Sequence, residues 1–559
     1  MSSLIVLLIA IVVLGGAYLT YGKYLAKAWG LDNSRETPAH TLEDGVDYVP
    51  AKAPVLMGHH FASIAGAGPI NGPIQASPFG WLPVLLWILI GGVFFGAVHD
   101  FGSLFASVRH DGKSIGHVIE VNIGKTGKRL FLAFGWFTLL LVIAAFASIV
   151  QSTFVVADPA VSTSNGSVAT ASLLFIVLAI AFGFLVYRKN APLAVSSIIG
   201  IVLVAVCIGV GLMFPITTVS KEVWLVFILV YIMVACVAPV WILLQPRDYL
   251  NSFLLYAMMI LAVVGVIFSN PTMNLPAFTD WNGGDMGSMF PVLFITVACG
   301  AISGFHSLVG SGTSSKQVDK ESDTKVIGYG AMLIECLLAT LALIAVASLG
   351  GAQGTPAVTF ATGVATFFTN IGASEGVYNV IFTLITLAVS AFALTSLDTA
   401  ARMGRFLFQE FFVNEGENVK DITGIRKFLV NPYVATVITV GIGGALALGG
   451  YSKIWPLFGA ANQLLAGLAL LAVCVWLGRI GKKNKMFYIP MGFMMAATIT
   501  SLVITLKNQI TALVTGSGDV VASVLQVIFA AVLVVLAVIL IIEGIKALQD
   551  IKKGKTAAA

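Results

Sequence analysis

Runs of about 20 apolar residues recur along the whole of this 559-residue chain, and they constrain its fold more than any other feature. A run of that length crosses the hydrocarbon layer of a bilayer as an α-helix. Only 10% of the residues are charged, whereas soluble proteins carry about 25%. The strands of a membrane β-barrel alternate in polarity and do not produce such runs. We therefore expect an all-α polytopic membrane protein that contacts the lipid bilayer.

The apolar runs predict about fifteen transmembrane helices. The shorter stretch 357–372 cannot span a bilayer and is predicted to form an external lid helix. The five cysteines all fall inside apolar segments, so a disulfide framework is not expected. The predicted spans are 3–21, 58–76, 81–107, 130–155, 169–187, 192–214, 223–245, 251–269, 289–312, 326–349, 376–400, 428–448, 453–477, 487–506 and 519–545.

Lysine and arginine residues in the short loops predict the orientation of these spans. With fifteen spans, loops on one side carry almost all of the basic residues, and the loops 156–168, 270–288, 350–375 and 507–518 carry almost none. The pattern predicts that the N-terminus lies outside and the C-terminus in the cytoplasm. Basic residues assigned to inner loops include Lys23, Lys27, Lys52, Arg109, Lys113, Arg188, Arg247, Lys316, Arg402, Arg405, Arg426, Arg479, Lys482 and Lys552.

Two of the predicted spans contain residues that interrupt a helix. Gly66, Gly68 and Pro69 lie within 58–76, and a similar glycine-rich stretch recurs at 300–314. Backbone groups freed by such breaks cannot face lipid, so they must line a cavity or bind a solute. In the expected topology the two spans run in opposite directions, as an inverted repeat requires. A proline–glycine kink that serves only helix packing is the alternative.

The breaks predict a site for an anion beside ionisable side chains. The N-terminus of a half-helix attracts an anion, and unwound carbonyl groups can hold a cation. Histidine can bind a carboxylate and pass a proton, although a neutral histidine bonded to a carbonyl explains any one of them equally well. No metal site is expected, because neither cysteine nor carboxylate lies at ligand spacing near the histidines. The predicted substrate-binding residues are His59, His60, Ser63, Gly66, Gly68, Gly304, His306 and Gly310.

Carboxylates and hydroxyls inside apolar spans are candidates for ion coupling. Glu335 lies mid-span, where a carboxylate costs about 2.5–3.5 kcal/mol, so we expect it to face the protein interior. Asp398 follows two hydroxyls, a set that can ligate sodium or accept a proton. An i,i+4 pair between Asp398 and Arg402 is the simpler alternative. The predicted ion-coupling residues are Thr395, Ser396, Asp398, Glu335 and Asp100.

Three further polar stretches have simpler interpretations. Asp100, next to His99, is either a helix-end residue at the water boundary or a partner for a basic group that gates the inner side. Asn462 and Gln463 are predicted to form interhelical hydrogen bonds. The run 245–249 is most simply a cytoplasmic turn with a local ion pair.

No Walker motif, dinucleotide-binding loop or nucleophile elbow occurs in a suitable context. We therefore expect neither an enzyme nor an ATP-driven pump, and no cofactor beyond a coupling ion, either a proton or sodium. The expected partner is a small-molecule substrate. A nucleic acid partner is not expected, and a homo-oligomer is left open.

Motifs spread along the chain resemble those of the carbon starvation (CstA) family. The resemblance runs from about residue 40 to the end of the second repeat. The resemblance implies an inner-membrane secondary transporter, described as a pyruvate:proton symporter or a peptide transporter and linked to nutrient starvation. His99 stands where the family is expected to have glutamine. The matching motifs are Asp44-Gly45, Gly58-His59-His60-Phe61-Ala62, Gly66-Ala67-Gly68-Pro69, His99-Asp100-Phe101, Ser303-Gly304-Phe305-His306, Gly328-Tyr329-Gly330 and Leu397-Asp398-Thr399.

The resemblance also implies the five-plus-five inverted repeat of LeuT-like transporters, with two discontinuous helices and additional peripheral helices. Thr395 and Ser396 would then lie on core helix eight, where related transporters have hydroxyls at a sodium site. Two helices are left over between core helices five and six, and a seven-plus-seven repeat is the rival. The implied division is 1–57 peripheral, 58–216 first repeat, 217–288 inserted helix pair, 289–478 second repeat and 479–559 peripheral.

The leading hypothesis is uptake of a small carboxylate, with pyruvate the first candidate, by proton or sodium symport. A peptide or amino acid transporter of the same fold is the alternative. A nutrient-sensing membrane protein is a remoter one, since the short inner loops offer little output surface, and a channel is a third.

Overall fold

The computed structural model describes residues 1–45, 47–157, 159, 162–189, 192–239, 242–413, 422–448, 451–517 and 520–553. These residues form helices joined by short loops and contain no β-strand, only isolated bridges. The helices are α1 (Ser3–Leu19), α2 (Tyr21–Trp29), α3 (Pro38–Thr41), α4 (Ala53–Ile64), α5 (Gly68–Gln75), α6 (Trp81–Gly91), α7 (Ala97–Val108), α8 (Ile115–Asn122), α9 (Lys125–Phe154), α10 (Ser164–Gly183), α11 (Leu193–Met213), α12 (Lys221–Val237), α13 (Leu244–Ser269), α14 (Met289–Thr296), α15 (Gly304–Gly312), α16 (Ala331–Leu349), α17 (Pro356–Thr369), α18 (Glu375–Phe411), α19 (Gly424–Leu429), α20 (Pro432–Ala447), α21 (Tyr451–Arg479), α22 (Tyr488–Thr515) and α23 (Val520–Lys552).

The expected spans correspond to these helices. Eleven helical segments of the described chain are long and apolar enough to cross a bilayer. The other four expected spans are the 17-residue α12, the 16-residue α20 and the two interrupted pairs α4–α5 and α14–α15. The stretch expected to form a lid helix is α17, a 14-residue helix that packs against α16 and α18. The all-α polytopic fold predicted from the sequence is confirmed.

The first interruption lies at 65–67, between α4 and α5. Gly66 has φ +28°, a backbone angle that side chains disfavour, and it ends the regular helix there. Pro69 is at the second position of α5, where its missing N–H removes no helical hydrogen bond. The two glycines and the proline thus place the break where the sequence predicted it, although the helix begins earlier, at Ala53.

The second interruption lies at 297–303, beside the first, and the two broken helices run in opposite directions. A Cβ added at Gly72 of α5 would lie 2.8 Å from the Thr296 carbonyl oxygen at the end of α14. At the other end, the Nδ1 atom of His60 in α4 lies 2.7 Å from Ser314 Oγ, just beyond α15. The half-helices therefore pair α5 with α14 and α4 with α15. This is the antiparallel arrangement that an inverted repeat predicts.

The remaining helices pack in two equivalent sets around the broken pair. α13 packs against α4 as α21 packs against α15, and α12 packs against α18 as α20 packs against α9. This pattern makes α12 and α13 the fourth and fifth helices of the first repeat. The helix pair outside the pattern is α10–α11, because α11 packs mainly against α10 and α13. The packing therefore favours an insertion at 164–213, whereas the sequence favoured one at 217–288.

Two sequence assignments of loops are wrong in the structure. Arg402 and Arg405 lie inside α18, which runs to Phe411 instead of ending near residue 400. Arg247 lies in the first turn of α13, not in a turn between helices, and it is only 1% exposed. The local ion pair predicted for this run is present, since Arg247 Nη2 lies 3.3 Å from Asp248 Oδ1. Arg402 donates from Nη2 to the carbonyl oxygens of Ala235 and Ala238, both at 2.7 Å, so it caps the end of α12.

Loops predicted to carry basic residues meet at one end of the helix bundle. The guanidinium of Arg109 pairs with Glu321, which belongs to the segment after α15. Tyr48 donates its hydroxyl to the Asp111 carbonyl oxygen at 3.0 Å. These contacts tie the segment before α4 and the segments after α7 and α15 into one layer. At the opposite end, the Met273 amide donates to the Met1 carbonyl oxygen at 2.9 Å, so the chain start and the 270–288 loop lie together.

Candidate functional site

The first helix break is packed tightly on both sides. A Cβ added at Gly66 would lie 2.7 Å from Ser396 Oγ on α18, and one added at Gly68 would lie 2.5 Å from Cys299 Sγ in the second break. Real Cβ atoms do not approach other atoms so closely, so only glycine fits at these positions. Gly66 therefore faces α18, and Gly68 faces the partner break. The sequence predicted both glycines as site residues, and the structure places them between two buried polar clusters.

The second break is held by an asparagine from α21. The Oδ1 atom of Asn462 accepts a hydrogen bond from the Phe305 amide at 2.9 Å, and its Nδ2 atom donates to Ser303 Oγ at 3.1 Å. An amide at the start of α15 has no acceptor within the helix, so Asn462 supplies one from a neighbouring helix. A Cβ at Gly304 would lie 2.3 Å from the Asn462 carbonyl oxygen, which makes this contact possible only for glycine. The interhelical hydrogen bonding predicted for Asn462 is present.

A chain of buried ionisable side chains runs from α7 through α15 to α16. His99 Nδ1 lies 2.7 Å from Asp100 Oδ1, and the other carboxylate oxygen lies 2.7 Å from His306 Nδ1. On the far side of that ring, His306 Nε2 is 3.5 Å from Glu335 Oε2. The four side chains are at most 3% exposed. We call them the histidine–carboxylate chain.

This arrangement can store and pass a proton. Asp100 accepts from both imidazole Nδ1 atoms, which fixes the orientation of the His306 ring and leaves its Nε2 directed at Glu335. That nitrogen and the Glu335 carboxyl can share one proton, as imidazolium with carboxylate or as imidazole with carboxylic acid. Asp100 is buried and doubly paired, so the interpretation of a residue at the water boundary is wrong. Glu335 faces the interior, as predicted.

The three histidines expected at the breaks have different surroundings. His306 belongs to the histidine–carboxylate chain, and His60 bonds to Ser314 while its Nε2 has no hydrogen-bond partner among the described residues. His59 is only half-buried on α4. Ser63 uses its hydroxyl to bond the His59 carbonyl oxygen at 2.9 Å, one helical turn back. Gly310 lies against the His60 ring, since a Cβ added at Gly310 would be 3.9 Å from the Cε1 atom of His60.

A second polar cluster surrounds the hydroxyls and carboxylate of α18. Asp398 pairs with Arg247 of α13 and not with Arg402, so the predicted local i,i+4 pair is wrong. Thr395 Oγ1 accepts from Asn251 Nδ2 at 2.7 Å. The sequence predicted the α18 side of this cluster but missed the α13 side. The only signal was an arginine four residues before an asparagine, on one face of a helix.

The two clusters are joined at the first break. Gly66 contacts the α18 cluster through Ser396, and Gly68 contacts the second break through Cys299, next to the histidine–carboxylate chain. Cys299 Sγ, a ring nitrogen of His306 and a Glu335 oxygen lie within 4.8 Å of one another, and they are the one group of three histidine, cysteine or carboxylate donors among the described residues that could hold a metal ion. All five cysteines are free and buried.

A cavity of about 940 Å³ opens at the end of the bundle opposite the basic loops. Its wall includes Gln75 of α5 and Thr296 of α14, so it reaches the half-helices that lie away from the basic loops. Residues of α22 such as Thr505 and Asn508 form another side. The cavity gives solvent a route towards the second break from the end opposite the Arg109–Glu321 ion pair.

The family model described as carbon starvation protein CstA matches residues 2–353 and 350–501. The chain belongs to the carbon starvation protein CstA family. Similar curated proteins of this family include "Peptide transporter CstA" of Bacillus subtilis (strain 168), 34% identical over 532 residues that cover 87% of each chain. Another is "Pyruvate/proton symporter BtsT" of Escherichia coli (strain K12), 33% identical over 548 residues, covering 81% of this chain and 74% of that protein.

Among solved structures, this CstA-family chain resembles the manganese transporter of Eremococcus coleocola. The TM-score is 0.51 with 12% identical residues, and the match covers 90% of this chain and 99% of that chain. At this level of identity the likeness concerns the fold alone, a LeuT-like inverted repeat with two discontinuous helices. The CstA-family chain is thus a multi-pass membrane transporter, as the sequence motifs implied.

Proposed function

We propose that this protein takes up a small carboxylate by symport with a cation, with pyruvate as the first candidate substrate and the proton as the first candidate ion. It works without enzymatic activity and without a cofactor, in a cytoplasmic membrane with its C-terminus inside. The observation that carries the proposal is the histidine–carboxylate chain, which is buried where α15 of the second broken helix meets α7 and α16. Ionisable residues at such a position mark proton relays and substrate pathways.

The substrate carboxylate would bind where α5 and α15 begin. Both helices start at a break, so the positive ends of their dipoles and their first amides point into the same region. Asn462 already takes the Phe305 amide. The Gly68 and Gly304 amides, which like the other first amides of a helix have no acceptor within it, are then the donors assigned to a carboxylate.

Coupling would follow from the shared proton of His306 and Glu335. A proton arriving through the cavity neutralises the carboxyl, and the substrate's negative charge then binds beside a compensated site. Release of substrate and proton together to the other side leaves a buried Glu335 carboxylate, whose neutralisation requires the next proton. The proton gradient therefore drives uptake only when a proton and a substrate molecule cross together.

A peptide transporter is a second candidate, because several relatives carry that name, including the Bacillus subtilis protein. The first broken helix would recognise a carboxylate, which pyruvate carries and which a peptide carries at its C-terminus. The two candidates differ in the room that they need beyond this carboxylate.

Reconstituted protein decides between them. Vesicles loaded with unlabelled pyruvate, alanine or a dipeptide are each diluted into the same solute in labelled form, and counterflow is measured. Exchange with pyruvate and not with dipeptide supports the first candidate, and the reverse supports the second. If none of these solutes exchanges, the proposed substrate class is wrong.

A further inference from the structure

Lysine side chains from three parts of the chain gather around α2, at the basic end of the helix bundle. Two belong to the helix itself, where Lys23 and Lys27 lie one turn apart on its exposed face. The others come from the segment before α16 and from the loop after α21. We call these side chains the α2 lysine cluster, which consists of Lys23, Lys27, Lys325, Lys482 and Lys483.

The lysines from distant segments are positioned by contacts with α1 and α2. The ammonium of Lys325 lies 4.0 Å from the centroid of the Tyr18 ring, and that of Lys483 lies 5.7 Å from the centroid of the Tyr24 ring. A Cβ added at the glycine that caps α2 would lie 2.5 Å from Lys482 Nζ. The described part of the chain gives no member of the cluster an ion pair. Their positive charges therefore attract an anion from outside the protein.

The exposed face of α2 continues a face of α1 that contacts lipid. Leu8, Val12 and Leu19 of α1 are exposed apolar side chains, and α1 belongs to a segment long and apolar enough to cross a bilayer. Helical hydrogen bonding continues from α1 into α2. Lys23 and Lys27 follow Leu19 at four-residue steps, so they lie on the same side of the segment. One helix face thus changes from apolar to basic along its length.

The length of this segment places the change at the depth of the lipid headgroups. At about 1.5 Å per residue, the helix from Ser3 to Lys23 is about 30 Å long, which is also about the thickness of the hydrocarbon layer. The Ser3 amide donates to the Pro271 carbonyl oxygen at 3.1 Å, so this end of α1 lies with the 270–288 loop, opposite the basic end. Lys23 is therefore near the headgroups of the other leaflet, where lipid phosphates are the nearest anions.

We propose that the α2 lysine cluster binds the headgroup of an anionic phospholipid, in the leaflet at the basic end of the bundle. Lysine side chains at this depth are attracted to anionic lipids, whereas a zwitterionic headgroup brings a positive charge of its own. Because the cluster unites α2, the segment before α16 and the loop after α21, a bound headgroup holds these three segments together. The lipid should therefore stabilise the folded protein.

The full-length protein, purified in detergent and freed of bound lipid, tests this site without any transport assay. Wild type is compared with the triple variant K23Q/K27Q/K483Q. Native mass spectrometry measures bound lipid, and thermal unfolding is followed with added phosphatidylglycerol, phosphatidylcholine or glycerol phosphate. The matched control removes the same charge from exposed lysines at the same end of the bundle, outside the cluster, and is K52Q/K113Q/K320Q.

Phosphatidylglycerol should raise the unfolding temperature of the wild type and of the control by several degrees more than phosphatidylcholine does. The triple variant should lose this difference and bind phosphatidylglycerol at least about tenfold more weakly. Equal stabilisation by the two lipids would overturn the proposal, as would an equal loss of binding in the control. Stabilisation by glycerol phosphate that matches phosphatidylglycerol would also overturn it, because the cluster would then bind a soluble anion and not a lipid.

Discussion

Asp100 of α7 and His306 of α15 lie 2.7 Å apart, through Oδ2 and Nδ1, although 206 positions separate them in the chain. Their contact joins a continuous helix of the first repeat to the broken helix of the second. Because the carboxylate fixes the imidazole, a movement of α15 changes the distance between His306 and Glu335. Under the proposed symport, this contact links proton binding to the position of the broken helix.

Replacing Asp100 with asparagine should weaken this link while the shape of the side chain stays the same. A charge-assisted hydrogen bond contributes about 1.5–3 kcal/mol, so gradient-driven uptake should fall by at least about tenfold. Counterflow, which needs no net proton movement, should fall less. Gradient-driven uptake and counterflow are measured for reconstituted wild type and D100N, and the loss in uptake is compared with the loss in counterflow. E543Q is the control, since Glu543 pairs with Lys546 on the surface of α23. Equal loss in both assays would show that Asp100 only supports the fold.

Gly66→Ala should inactivate the protein. The backbone angle at this position disfavours a side chain by about 1–3 kcal/mol, and the added methyl group would meet Ser396 Oγ at 2.7 Å. Gly209→Ala on α11 is the matched control, because no atom lies within 4 Å of a Cβ there. Yield, unfolding temperature and counterflow of the two variants are compared. A normally active G66A protein would contradict the tight packing of the first break.

Asn462→Ala should destabilise the start of α15. It leaves the buried Phe305 amide without its acceptor, which costs about 1–3 kcal/mol. Asn462→Asp keeps an acceptor oxygen and should lose less of the free energy of unfolding than the alanine variant. Denaturant or thermal unfolding of both variants in detergent measures the difference. The role assigned to Asn462 is wrong if the aspartate variant is the less stable and less active of the two.

Much of this site could be predicted because its markers are local. Glycine, proline and histidine within apolar runs predicted both breaks, and the alternation of basic loops predicted their opposite directions. The burial of Arg247 could not be predicted, since its partner Asp398 lies 151 positions away and only the packing of α13 on α18 brings them together. The role of Asp100 was ambiguous for the same reason. A helix-end position in the sequence does not show whether neighbouring helices cover it.

The cavity of about 940 Å³ should be the route of the substrate. Thr505→Trp places a large ring in its wall and should slow uptake while the protein remains folded. Val503→Trp on the same helix is the control, because Val503 is 49% exposed and is not part of the cavity wall. Initial uptake rates and unfolding temperatures of both variants are measured. Equal rates for the two tryptophan variants would exclude this cavity as the access route.

Proton movement that accompanies substrate tests the central claim most directly. Protein is reconstituted into weakly buffered vesicles without any imposed gradient, with the membrane potential clamped by potassium and valinomycin, and external pH is followed after pyruvate is added. Wild-type protein should make the external medium more alkaline as protons enter with pyruvate, and a protonophore should abolish the signal. Uptake of labelled pyruvate without any change in external pH would contradict proton symport through the histidine–carboxylate chain.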